Sequence, residues 1–264
     1  MKLIHKFKSL NYDKRNNKRI SFLILHYTAL PSVKDSIKYL CDKKNKVSCH
    51  YIISQNGSIY NLVSEKNRAW HAGQSTWLLE KDLNSVSIGI ELDFSTNNNN
   101  NKFSTLLIKS LICLLKYLKK KYKIDKKNIL GHSDIAPYRK IDPGKTFPWK
   151  KLCNLDLSYN PKKVSLKESK KIRMWFKKNK IYSNKNKILI MLNFIGYDIS
   201  KSINNKSSYN SLISNYKNHY LQKSNKKCSN IKLFNFYVLV NNKLKKCFSI
   251  LLYNLAFEYF VLLF

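Results

Sequence analysis

Ile20-Ser21-Phe22-Leu23-Ile24-Leu25-His26-Tyr27 decides the fold class. A strand's period of two puts Ile20, Phe22, Ile24 and His26 on one face and Leu23, Leu25 and Tyr27 on the other. Both faces are mostly apolar, the pattern of a central strand covered on both sides. Next comes a predicted helix with Ser32 as its cap and Asp35 in its first turn. Val33, Ile37 and Leu40 share one of its faces. Further on, residues 51–53 and 58–63 flank Asn56-Gly57, a strong hairpin signal. Residues 86–92 form another strand, and five asparagines at 97–101 a polar loop. A long helix over 103–122 turns Leu107, Leu111, Leu114, Leu115 and Leu118 inward and its lysines outward. Residues 128–132 give a short last strand. The series predicts an α/β fold, a central mixed β-sheet flanked by helices.

From about residue 163 the pattern changes to three helical stretches, 167–180, 187–194 and 207–220. The expected organisation is a catalytic domain over 1–155, a small C-terminal helical module over 163–224 and an apolar tail over 231–264. The end of the tail, 247–264, reaches 18 residues and contains Glu258. That length only touches the membrane-spanning threshold, and a central acid costs about 2.5 kcal/mol or more on insertion scales. A packing segment or dispensable extension is therefore expected, and any membrane contact would run through this tail alone.

The net charge of +35 suggests a polyanion binder. The composition argues against a specific nucleic-acid role. The chain has 45 lysines and 5 arginines, whereas base and phosphate recognition leans on the planar arginine fork. The lysines are spread along the chain, as compositional drift would leave them. The six cysteines, at 41, 49, 113, 153, 228 and 247, form no C-x-x-C pair. Neither a disulfide framework nor a cysteine zinc site is expected. The polar, basic segment 1–19 lacks the apolar core of a secretory signal.

Scarce residue types gather in one region. Five of the six glycines, three of the four tryptophans and three of the five prolines lie between 57 and 149. They fall in the clusters Ala69-Trp70-His71-Ala72-Gly73, Ser87-Ile88-Gly89-Ile90-Glu91, Gly131-His132-Ser133-Asp134-Ile135-Ala136-Pro137 and Lys140-Ile141-Asp142-Pro143-Gly144. Special backbone geometry and aromatic surface concentrated in this way predict a site. In the second cluster, small residues at 87 and 89 lead up to Glu91 and would leave room for a ligand beside a general base. On spacing alone Glu91 reads equally as a solvated carboxylate at a sheet edge, and His26 as a satisfied rim histidine. His26, His132 and Asp142 have the donor types of an open catalytic zinc site. Their separation is too large for a helical ligand motif, so only the fold can bring them together.

Five segments carry a resemblance. They are Phe22-Leu23-Ile24-Leu25-His26-Tyr27-Thr28-Ala29, Val47-Ser48-Cys49-His50-Tyr51, Arg68-Ala69-Trp70-His71-Ala72-Gly73, Asn84-Ser85-Val86-Ser87-Ile88-Gly89-Ile90-Glu91, and residues 131–147. In order and spacing, over about residues 18–152, they resemble the type 2 N-acetylmuramoyl-L-alanine amidases. That family includes a cytoplasmic muropeptide-recycling amidase and an outer-membrane relative, and its fold resembles that of peptidoglycan recognition proteins. The resemblance implies one Zn2+ held by His26, His132 and Asp142. It also implies Glu91 as catalytic acid/base, Lys140 as the transition-state cation, and Trp70, His71 and Asn84 as substrate-pocket walls. The implied reaction is cleavage of the amide between N-acetylmuramic acid, or its anhydro form, and the L-alanine of the stem peptide. A binding protein for peptidoglycan or muropeptides is the alternative. His50 matches a family position and reads as structural; His5 and His219 read as solvated. Residues 188–198 resemble a helical peptidoglycan-binding module. A monomer is expected. A cytoplasmic location is expected from the N-terminus, with periplasm or outer membrane as the alternative.

Overall fold

The structure, a computed structural model, describes residues 2–95, 102–159 and 165–222. Its strands are β1 (Leu3–Ile4), β2 (Tyr12–Lys14), β3 (Phe22–Tyr27), β4 (Tyr51–Ile53), β5 (Ile59–Asn61), β6 (Asn67–Ala69), β7 (Ser87–Leu92) and β8 (Ile129–Gly131). Its α-helices are α1 (Val33–Cys41), α2 (Leu83–Val86), α3 (Thr105–Tyr122), α4 (His132–Ile135), α5 (Trp149–Asn154), α6 (Leu166–Lys178), α7 (Asn184–Ile195) and α8 (Lys206–Tyr220). The main sheet has the order β1-β5-β4-β7-β3-β8. Only the β4–β5 hairpin is antiparallel; the other neighbours run parallel. This is the mixed α/β architecture expected; β3 is an interior strand, paired on both sides, but lies next to the edge strand β8 and not at the centre.

Side-chain alternation decides which helix covers which face. Leu23, Leu25, Ile88, Ile90, Leu92, Tyr51 and Ile53 share a core with the inward leucines of α3. Those leucines are fully buried, as their spacing predicts. On the opposite face Ile52 and Leu62 pack with Ile37 and Leu40 of α1. His26, Gly89 and Glu91 alternate out of the α3 core and so belong to the second face. The register pairs Ile24 with Gly89 and His26 with Glu91.

Caps fix the helix starts. Ser32 Oγ accepts the Asp35 N–H at 3.1 Å. Ser104 Oγ accepts the Leu107 N–H at 3.0 Å, so α3 begins at Thr105 rather than at Phe103. Phe103 instead stacks on Phe94 at 4.3 Å. The last expected strand stops one residue early, because His132 opens the single turn of α4. Asp134 on that turn accepts the Gly131 N–H at 2.7 Å.

Contacts divide the described chain into two compact units, residues 2–159 with 196–222, and residues 165–195. Helices α6 and α7 form the second. The Ser165/Glu168 capping box starts α6, and α7 buries Ile188, Leu189, Met191, Leu192 and Phe194. Helix α8 groups with the sheet, and a buried polar set explains why. Asn215 Nδ2 donates to the carbonyls of Pro137 and Lys140, each at 2.9 Å. His219, expected to be solvated, is 5% exposed. It lies between the rings of Trp149 and Tyr220, with its Nδ1 2.7 Å from Asp134 Oδ2. No helix among the described residues is long and apolar enough to cross a membrane. The tail at 231–264 lies outside the described residues.

Candidate active site

Parallel strands deliver the site. His26 is the penultimate residue of β3 and Glu91 lies opposite it, penultimate in β7. His132 follows directly after β8. The loop bearing Asp142 folds back, and the Asp142 carbonyl accepts the Ser133 N–H at 2.9 Å. Gly131 permits this return, because a Cβ there would meet Pro143 Cδ at 2.6 Å.

Three donor atoms form a near-equilateral triangle. His26 Nδ1 lies 3.0 Å from His132 Nδ1 and 3.2 Å from Asp142 Oδ2, and His132 Nδ1 lies 3.1 Å from Asp142 Oδ2. All three residues are buried. A tetrahedral ion with bonds of about 2.0–2.1 Å sets its ligand atoms about 3.3 Å apart. The triangle matches to within a few tenths of an ångström. Two imidazoles and one carboxylate also leave a fourth position free, as catalytic zinc requires. The site therefore fits zinc. His132 Nε2 lies 3.1 Å from the Ala72 carbonyl, which only accepts, and 3.4 Å from Arg139 Nη2, which only donates; the shorter contact puts the proton on Nε2 and the lone pair on Nδ1, inside the triangle.

The electrostatics suit a metal centre. Burial, and then the charge of His132, lowers the His26 pKa to about 4. Burial would raise Asp142, but the two histidines hold it well below the usual carboxylate range. Glu91 goes the other way: burial, then the Asp142 charge, raises it to about 8, with Lys140 opposing. Glu91 Oε2 is a buried oxygen with no hydrogen-bond partner.

These residues face a cleft of about 560 Å³ whose lining includes Tyr27, Trp70, His71, Glu91, Arg139 and Lys140. Trp70 is fixed by its Nε1–H, which donates to Asp13 at 2.7 Å. Asn84, expected as a wall, is not among the lining residues. Its Oδ1 accepts the N–H groups of His71 and Ala72 at 3.0 and 2.8 Å, so it supports the wall from behind. The space expected beside Gly89 for a ligand holds the His71 ring, whose Cγ would be 2.3 Å from a Cβ there. His50 is fully buried and takes the Gly89 N–H on Nδ1, consistent with a structural role. His5 is exposed.

Arg139 went unread in the sequence. Its Nη2 donates to the carbonyls of Ala72 and Gln74 at 2.7 and 2.8 Å. The available signal was rarity. Arg15 likewise donates to the carbonyls of Glu65, Asn67, Asn84 and Ser85, and Arg68 binds Asp13, Asp82 and Ser85. Three of the five arginines, Arg15, Arg68 and Arg139, thus stand where several acceptors are met at once, while Arg19 and Arg173 are exposed.

Known proteins share this chain's sequence pattern and fold. Residues 16–145 match the family model for N-acetylmuramoyl-L-alanine amidase. The chain is 40% identical over 151 residues to the Escherichia coli N-acetylmuramoyl-L-alanine amidase AmiD, covering 51% of this chain and 52% of AmiD. It thus spans about half the length of that relative. It is 38% identical over 162 residues to the Haemophilus influenzae 1,6-anhydro-N-acetylmuramyl-L-alanine amidase AmpD, covering 54% of this chain and 86% of AmpD. The Pseudomonas aeruginosa AmpDh3 crystal structure superposes with a TM-score of 0.68 at 27% identity, over 92% of this chain and 99% of that one. Escherichia coli AmiD, solved with anhydro-N-acetylmuramic acid-L-Ala-D-gamma-Glu-L-Lys, gives 0.63 at 28% identity, over 81% and 84%. Shared sequence over most of AmpD and a shared fold over nearly all of AmpDh3 lead to one assignment: the chain belongs to the N-acetylmuramoyl-L-alanine amidase family.

Proposed function

We propose that this chain is a zinc-dependent amidase cutting the bond between N-acetylmuramic acid, or its anhydro form, and the L-alanine of the stem peptide. The observation that carries the reading is Glu91. A buried carboxylate oxygen with no partner opens on the same cleft as the His26–His132–Asp142 triangle. Structural carboxylates in proteins are hydrogen-bonded when buried. One left bare beside a metal-binding triangle suits proton transfer.

His26, His132 and Asp142 would hold the ion. When bound, zinc supplies Lewis acidity, which polarises the scissile carbonyl and makes water easier to ionise. Glu91 takes the proton from the attacking water. In the metal-free chain burial and the Asp142 charge raise its pKa, so its surroundings favour taking up a proton. It then returns that proton to the departing alanine nitrogen, which is a poor leaving group until protonated. The Lys140 ammonium, in the cleft wall, stabilises the negative charge growing on the carbonyl oxygen. Trp70 offers an aromatic surface to the sugar or peptide.

The test is hydrolysis of a purified anhydro-muropeptide with and without a zinc chelator, reading released peptide by mass spectrometry. Chelator-sensitive release of a stem peptide with a free L-alanine amine supports the reading. No release from zinc-loaded protein overturns it in favour of a binding protein. The same assay on intact sacculi distinguishes wall from fragment as the substrate.

A further inference from the structure

A directed chain of hydrogen bonds runs behind the metal ligands. Ser87 Oγ–H donates to the Leu83 carbonyl, so the oxygen is left to accept from its other neighbour. That neighbour is His71 Nε2, at 3.1 Å. His71 Nε2 therefore carries the ring proton, and Nδ1 carries the lone pair. His71 Nδ1 lies 3.0 Å from His26 Nε2, which must then be the donor. This leaves the His26 lone pair on Nδ1, the atom that faces His132 and Asp142.

Each link has one direction because the chain ends on a carbonyl. Ser87, His71 and His26 are 0%, 8% and 1% exposed, so water is poorly placed to substitute for any of them. The sheet is shaped for the relay. Gly89 lies flush against the His71 ring, where a Cβ would come within 2.3–2.6 Å of three ring atoms. The adjoining residue serves the other histidine, since the Ala72 carbonyl accepts from His132 Nε2.

We propose that His71, held by Ser87, is a positioning residue that fixes His26 in its Nδ1-ligating tautomer and thereby sets the zinc affinity of the site. The inference rests on the zinc-amidase reading. Its physical basis is general: a ligand histidine with a fixed second nitrogen needs no tautomer change to bind, and outer partners of this kind typically contribute 10–100-fold in metal affinity.

The experiment measures Zn2+ affinity of the full chain by competition with a chromophoric chelator, alongside the melting temperature of the metal-free protein. His71→Phe keeps a ring in the space and removes the acceptor. It should weaken zinc about 10–100-fold. His71→Asn, whose carboxamide oxygen can stand near the Nδ1 position, should recover most of that loss. Ser87→Ala disturbs the packing little and frees His71 to reverse. Long-range 15N spectra of the metal-free chain should show His26 as a single Nε2–H tautomer in wild type and as a mixture in Ser87→Ala. Wild-type affinity in both His71→Phe and Ser87→Ala overturns the inference and leaves the amidase reading standing. If His71→Phe does not fold, an unchanged tautomer and affinity in Ser87→Ala overturn it alone. A wild-type protein that binds no zinc overturns the amidase reading, and this inference with it.

Discussion

Glu91 and His26 are direct register partners on neighbouring parallel strands, so one rung of the sheet holds both a candidate metal ligand and an acid with a buried, unpartnered oxygen. The proposed ligand and the proposed proton carrier are thus placed by backbone hydrogen bonds and not by a loop.

Glu91→Gln separates the two roles. The variant should retain one zinc per chain by elemental analysis, because the three ligands are untouched. Its kcat should fall by about 10²–10⁴-fold, the usual contribution of a positioned acid/base. Activity equal to wild type would remove Glu91 from the mechanism.

The same residue predicts a pH signature in the metal-free protein. Burial raises the Glu91 pKa from an ordinary 4.5 to about 8 in the folded chain. Between those values the unfolded chain has released a proton that the folded chain keeps. The stability contributed by this group is therefore full below pH 4.5 and is lost as the pH rises to about 8. Urea melts of metal-free wild type and Glu91→Gln should show wild type losing stability relative to the variant across that window. A constant difference would show that the carboxyl titrates normally.

Asn215 links α8 to the catalytic loop through the carbonyls of Pro137 and Lys140. Asn215→Leu leaves both carbonyls without this donor and should cost about 1–3 kcal/mol, read as a lower denaturation midpoint. Looser placement of Lys140 should lower kcat while zinc content stays at one. An unchanged midpoint and rate would reduce α8 to an appendage.

Ser158, His219 and Asp134 line up in the order of a serine hydrolase. Ser158 Oγ is 3.2 Å from His219 Nε2, and His219 Nδ1 is 2.7 Å from Asp134. Yet the three are 2%, 5% and 0% exposed, and aromatic rings cover both faces of the imidazole. Ser158→Ala should hydrolyse muropeptide within about twofold of wild type, and a serine-directed fluorophosphonate should not label the protein. His219→Ala should instead lose about 2–3 kcal/mol of stability, through its bond to a buried carboxylate. Labelling at Ser158 would reveal a second nucleophile.

The sheet and its helices were legible because their signals are local. Alternation in residues 22–27, the leucine spacing of α3 and Asn56-Gly57 each need only a short window. The candidate metal ligands are legible only as a family pattern, since no spacing rule joins His26 to His132 and Asp142. Two misreadings share one cause. The small residues at 87 and 89 read as room for a ligand beside Glu91; Glu91 does line the cleft, but the space directly over Gly89 is filled by His71. His219, in the polar run Asn215-Tyr216-Lys217-Asn218-His219, was taken as solvated, and the structure buries it against Asp134, far back in the chain. In both, the deciding partner is remote in sequence, where composition and periodicity carry no information.

The placement of the ligands on β3 and just past β8 has a use. Those strands are neighbours in the sheet but lie at opposite ends of the catalytic sequence. A cut anywhere between Tyr27 and Lys140 leaves His26 on one piece and Asp142 on the other. Neither piece could then present all three donors, and only re-forming the β3 pairing would restore the triangle.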